Sequence, residues 1–297
     1  MSVPAAFLGV VVIWSTTPLA IKWSSDGGGY LFGVSARMLL SLFVCLLLVA
    51  LLGRRMRWYR EALSTYLAGG LGIWGAMICV YWGAQYIPSG LVSVLFGLSP
   101  VVTALMAAMW LGEPALSPSR LLGMLLGLLG LGVVFAESAR LGSGAGWGVC
   151  AVLLSVNIHS ASSVWIKRIG SRMHPLEITT GSLLVAVPLF TTSWLLGDGR
   201  LPVSLPGHAL WSILYLGVMG SALGFTLYYY VLSHLQASRV ALITLMTPVI
   251  ALILGHSLNA ESIGLREFSG VLAILSGLAV FQWGGQWRHL RPTPVAD

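Results

Sequence analysis

The side chains able to act as ligands inside this apolar chain are few, and they come in matched pairs. Trp14 stands eight residues before Lys22, and His159 stands eight before Lys167. Leu98-Ser99-Pro100-Val101-Val102 has its counterpart in Met246-Thr247-Pro248-Val249-Ile250. Thirteen residues after each proline comes a glutamate, Glu113 and Glu261, so this second pair of segments repeats at an offset of 148. The chemistry on offer is binding. Aromatic faces, hydroxyls and an imidazole can hold a solute, and proline adds backbone carbonyls, because it cannot donate to the carbonyl four residues earlier. Pro18, Pro100 and Pro248 thereby release the carbonyls of Trp14, Phe96 and Thr244, unless a hydroxyl of Ser99, Thr244 or Thr247 fills the gap.

Trp14, Thr17, Tyr81, Phe96, Ser99, Asn157, His159 and Thr247 are the candidates for the wall of such a site, with Pro18, Pro100 and Pro248 as its bends. His159 either carries a proton or sits neutral, hydrogen-bonded between helices. It is the ionisable group expected nearest the middle of its segment: Asp26, Glu113, Glu137 and Glu261 fall in connections, and Glu177 follows Pro175 at a helix start, where the dipole favours an anion. Lys22 and Arg37 are candidates for attracting an anion. Lys22 can instead extend to an interface, and Arg37 can instead pair with Asp26. No paired carboxylates, His/Cys metal spacing, Gly-rich phosphate loop or nucleophile elbow occurs, so no catalytic residue, metal or cofactor is expected.

Charged residues make up 8% of the 297 positions and apolar residues 57%. A soluble domain carries roughly 25% charge, so this chain is expected in a bilayer. Cys45, Cys79 and Cys150 lie in apolar segments and act as small hydrophobes. The first apolar run has no basic stretch ahead of it and reads as a retained span, not a removable signal.

Apolar windows of about 20 residues give ten spans, at 4–23, 31–52, 65–86, 90–111, 119–136, 146–166, 175–196, 208–231, 238–257 and 265–284. With the N-terminus in the cytoplasm, eleven Lys and Arg fall on the inner side and four on the outer, with Arg37 inside its span. That bias puts both termini in the cytoplasm and explains the net charge of +7 without nucleic acid. Five spans per half is odd, so the second half enters the membrane from the opposite face. The expected fold is all-α: ten transmembrane helices as two inverted five-helix repeats, 1–140 and 141–285, with a cytoplasmic tail at 286–297.

The ten-span layout, the early Trp14-Ser15-Thr16-Thr17-Pro18-Leu19-Ala20-Ile21-Lys22, Arg37 near the start of span two, and the paired Ser/Thr-Pro…Glu segments resemble the drug/metabolite transporter superfamily, EamA-like branch. The resemblance covers nearly the whole chain. It implies export of amino acids or other small metabolites across the bacterial inner membrane, with a small-molecule solute and the lipid bilayer as partners. Two positions depart from an exact repeat. Ala260 stands where the first copy has Gly112, and Glu113 to Gly123 is one residue longer than Glu261 to Gly270, so the two turns are expected to differ in shape.

Gly123, Gly127 and Gly130, like Gly220 and Gly224, permit close helix approach, within the bundle or along a homodimer seam at span five. A nucleotide-sugar or sugar-phosphate exchanger is the nearest alternative. An integral-membrane lipid-modifying enzyme is a more distant one, since the Arg54–Arg60 patch has Glu61 as its only acidic companion.

Overall fold

A chain surrounded by lipid must satisfy its own backbone, which leaves the helix as the form for single spans. The computed structural model describes residues 2–112, 118–138, 144–197, 199–240, 243–260 and 264–283, and among these every regular element is helical. In order they are α1 (Val3–Ser24), α2 (Gly29–Leu51), α3 (Arg60–Gly83), α4 (Ser89–Phe96), α5 (Ser99–Leu111), α6 (Pro118–Ser138), α7 (Ala145–Ile169), α8 (Pro175–Gly197), α9 (Gly207–Tyr215), α10 (Gly224–His234), α11 (Ala237–Val240), α12 (Ile243–Asn259) and α13 (Leu265–Trp283). A π-helical stretch, Leu216–Leu223, joins α9 to α10. Among the described residues seven stretches are long and apolar enough to cross a membrane, α4 with α5 forming one and α9 through α10 another. α6, α12 and α13 occupy the three remaining expected windows. Val12, Phe43, Leu51, Trp147 and Leu196 turn outward, as large apolar side chains do where the solvent is hydrocarbon.

The sequence places Pro100 within a helix; the helix instead ends at Phe96 and restarts at Ser99. The Gly97 amide donates to the Ser93 and Val94 carbonyls and the Leu98 amide to that of Leu95, so the break keeps its hydrogen bonds. Pro100 becomes the second residue of α5, where a missing donor costs little. Pro248 stays inside α12 and Pro18 inside α1.

Packing exchanges partners between the halves. α1 lies against α12 and α10, while α7 lies against α5, α4 and α3. α6 and α13 meet at their glycines: a Cβ on Gly123 would stand 2.4 Å from the Gly277 carbonyl oxygen, and one on Gly130 would stand 2.6 Å from that of Gly270. The two contacts descend one helix as they climb the other, so the pair is antiparallel. This glycine face is filled by the chain's own α13 and is not free to serve as a dimer seam.

Two lysines are used alike. Lys22 Nζ donates to the Ile87 carbonyl at 3.4 Å and Lys167 Nζ to the Leu232 carbonyl at 2.8 Å, each acceptor 65 residues further on. Lys167 thereby sets a cation by the last turn of α10, where it opposes the helix dipole, while Lys22 meets a carbonyl in the connection between α3 and α4. The ends of α5 and α12 also agree. Gly112 has φ +67° and Ala260 φ +50°, both left-handed, so at this residue the two turns share a backbone shape despite the substitution. Glu113 and Glu261 themselves lie outside the described residues.

Candidate functional site

Buried Arg37, Ser93, Thr244 and Thr247 come together where α1, α2, α3, α4, α7, the π stretch, α10 and α12 converge. There a cavity of ≈ 70 Å³ is lined by Trp14, Thr17, Pro18, Ile21, Arg37, Met77, Val80, Val92, Ser93, Phe96, His159, Gly220, Phe225, Thr244 and Thr247. Both halves of the chain contribute walls. Of the expected wall residues, Trp14, Thr17, Phe96, His159 and Thr247 line it, as do Pro18 and Arg37.

Arg37 is the feature that organises the site. Its side chain is 1% exposed, and a guanidinium costs roughly 2.5–3.5 kcal/mol to insert at a helix centre. Nε and Nη2 donate to Ser221 Oγ at 3.1 and 3.0 Å, and Nη1 donates to Tyr81 Oη at 3.1 Å. Ser24 Oγ donates to the Ile21 carbonyl at 2.8 Å, so the Tyr81 hydroxyl donates onward to Ser24 Oγ, 3.1 Å away. These partners are neutral. No carboxylate among the described residues lies within 4 Å of Arg37; Asp26, its expected mate, pairs with His208 at 2.9 Å, and Glu177 lies 3.5 Å from Arg57.

The opposite wall is aromatic. Trp14 stacks on Tyr228 with centroids 5.0 Å apart, and His159 meets the edges of Trp14 at 5.8 Å and Phe96 at 6.5 Å. Tyr228 is fixed by a 2.6 Å hydrogen bond with Ser163. Hydroxyls complete the lining. Ser93 Oγ donates to Thr247 Oγ1 at 3.3 Å, joining α4 to α12.

Two of the three carbonyls released by proline are already occupied. Ser99 Oγ donates to the Phe96 carbonyl at 2.6 Å, and Thr247 Oγ1 donates to that of Thr244 at 3.2 Å. The hydroxyl just before each proline repairs the same gap in both copies. In α1 the Thr17 hydroxyl goes to Ile13, one residue before the carbonyl that Pro18 releases.

Four expected residues stand elsewhere. Tyr81 and Ser99 are fully buried behind the wall, one holding Arg37 and the other capping Phe96. Asn157 is exposed, its amide donating to the Leu153 carbonyl one turn back. Two residues from His159 on the same helix puts it on a different face. Lys22 reaches the Ile87 carbonyl in the connection between α3 and α4 and does not line the cavity. Sequence reading missed Ser93, Phe225, Thr244 and above all Ser221. The signal for Ser221 was its place among Gly217, Gly220 and Gly224, where small residues let another backbone approach. A Cβ on Gly217 would lie 3.1 Å from the Arg37 carbonyl oxygen.

The model of the EamA-like transporter family matches residues 2–136 and again 146–283. An uncharacterized transporter of Archaeoglobus fulgidus is 26% identical over 273 residues, covering 91% of this chain and 95% of its own. A probable terminal-alkyne amino-acid exporter of Streptantibioticus cattleyicolor is 26% identical over 282 residues, 92% of this chain and 88% of its own. A probable amino-acid metabolite efflux pump of Escherichia coli is 24% identical over 289 residues, 94% of each chain. One solved crystal structure superposes with a TM-score of 0.72 at 18% identity, covering 96% of this chain and 99% of that one, which shows a shared fold.

Proposed function

The chain belongs to the EamA-like transporter family, and we propose that it exports small organic solutes with an anionic group, amino-acid-like or amphipathic, across the bacterial inner membrane by alternating access. It is a multi-pass membrane transporter, not an enzyme. One observation carries the finer reading: a buried guanidinium with neutral partners lines a cavity whose walls come from both halves. A charge kept at such cost suits a solute that supplies the missing anion.

The inverted repeat, divided at 1–140 and 141–285 with 286–297 as a cytoplasmic tail, is supported by the two family matches and by the exchanged packing of α1 and α7. The distribution of Lys and Arg supports both termini inside. In this reading Arg37 binds the anion, Trp14, Phe96 and His159 bear on the solute's body, and Thr17 and Thr247 give it hydroxyls. Pro18, Pro100 and Pro248 mark the bends about which the halves gate. A sugar phosphate would also engage Arg37, but a dianion would find one guanidinium where two charges need partners.

The test uses single cysteines at Ile21 and Phe225, which line the cavity from α1 and α10, in a chain lacking Cys45, Cys79 and Cys150. Adding a bound solute should raise thiol labelling at one and lower it at the other. Simultaneous labelling of both from opposite sides would replace the carrier with a channel.

A further inference from the structure

We infer that two copies of this chain associate in the membrane along the outward face of α7, where Asn157 of one copy bonds the same residue of the other. Asn157 lies twelve residues from Ala145 and twelve from Ile169, the two ends of α7. At 1.5 Å per residue that is about 18 Å from either end, in the middle of the hydrocarbon layer. The side chain is exposed there. Its amide nitrogen donates to the Leu153 carbonyl of its own helix at 2.9 Å. A carboxamide carries a second N–H and an acceptor oxygen besides, and lipid chains can bond neither, which is costly at this depth. Other polar side chains of α7 turn inward: Ser155 and Ser162 donate to the Ala76 and Ala68 carbonyls of α3, Ser160 accepts from Thr103, and His159 lines the cavity. Asn157 is the exception.

The residues around it form a seam. Trp147, Cys150, Leu154, Asn157 and Ala161 follow one another at intervals of three, four, three and four, the spacing at which two helices wrap at a small angle. The first four are exposed and Ala161 is half-buried. One central asparagine in such a seam fixes its register. A second copy, related by a two-fold axis along the membrane normal, presents the same face at the same depth. Each free N–H then meets the other copy's Oδ1, and both amides are satisfied together. An unrelated membrane protein would need a matching group at that level; a second copy has one by construction. His159 reaches the cavity from the other side of α7, so the seam holds one wall of each cavity in place.

The experiment reconstitutes the full-length chain, fused at its C-terminus to donor or acceptor fluorophores, in liposomes over a range of protein-to-lipid ratios. Energy transfer should rise and saturate as a dimer forms. Asn157→Leu should weaken association about tenfold or more, whereas Asn157→Gln, which keeps the carboxamide, should retain most of it. The second measurement is oxidative cross-linking in a chain lacking Cys45, Cys79 and Cys150. Ala161→Cys, one turn from Asn157 on the seam, should give a covalent dimer; Val12→Cys, which turns outward from α1, should not. A chain that stays monomeric at every ratio overturns the inference, as does association unchanged by Asn157→Leu or cross-linking equal at the two positions. Should Asn157→Leu fail to fold, the cross-linking decides alone. None of these outcomes bears on the transporter reading.

Discussion

Arg37 donates to the single hydroxyl oxygen of Ser221 from two nitrogens, Nε at 3.1 Å and Nη2 at 3.0 Å. This leaves the guanidinium edge oriented by α2 on one side and by the π stretch on the other, with Tyr81 fixing the third nitrogen. The Arg37 guanidinium is thus held by both halves of the chain at once, and its direction depends on how they sit together.

Ser221→Ala removes the acceptor of two charged donors. Hydrogen bonds to charged groups contribute about 1.5–3 kcal/mol, and thermal unfolding in detergent should register a loss of that order. Arg37→Lys keeps the charge but not the fork, so a carboxylate-bearing solute should bind it more weakly than wild type in a thermal-shift titration.

Gly112 and Ala260 occupy the same left-handed position after α5 and α12. An L-residue there costs roughly 1–2 kcal/mol. Ala260→Gly should therefore stabilise the protein by about 1 kcal/mol, and Gly112→Ala, which meets nothing within 4 Å, should destabilise it by a like amount. Equal melting temperatures for the two variants would contradict the shared backbone.

The α6–α13 contact has no room for side chains at two levels. Gly123→Val or Gly130→Val should unfold the protein or push these helices apart, costing about 1–3 kcal/mol or more. Gly132→Ala, on the same helix but with open space around it, should be neutral or slightly stabilising.

His174 lies in the connection before α8, where its Nδ1 accepts the Leu176 amide at 3.3 Å. Burial first, then the nearby Arg54 charge, lowers its pKa below the ordinary 6.5, with Glu177 partly opposing. A lowered folded pKa means the folded chain binds this proton less readily than the unfolded chain. Its contribution to stability is full above pH 6.5 and declines as pH falls through the folded pKa. The melting temperature of wild type should fall faster than that of His174→Gln over this acid range.

Much of the fold was legible because hydrophobic length and repeated motifs are local signals. Helices occupy the expected windows among the described residues, seven stretches being long and apolar enough to cross a membrane, and Ser99 and Thr247 cap matching carbonyls although only the first copy breaks its helix at the proline. The site was read in part. Trp14 and His159, whose distance to a lysine repeats, both line the cavity, whereas Asn157, two residues from His159 and so on another face of α7, does not. For Ser221 the glycines around it mark a close helix approach but not its partner. Its role depends on which face a π stretch presents to a helix far away in the chain, and the sequence does not mark where a helix widens. Arg37 was visible as an intrusion in an apolar run, but its lack of a carboxylate became apparent only once Asp26 was seen with His208.

Leu216–Leu223 carries a consequence for ancestry and engineering. A π stretch is what an α-helix becomes when it absorbs an inserted residue without turning its two flanks out of phase. Deleting Met219 should let the span close up as ordinary helix, with Tyr215 and Phe225 keeping their directions, while Ser221 swings away from Arg37. One inserted residue would then separate a plain membrane helix from one able to grip a buried cation.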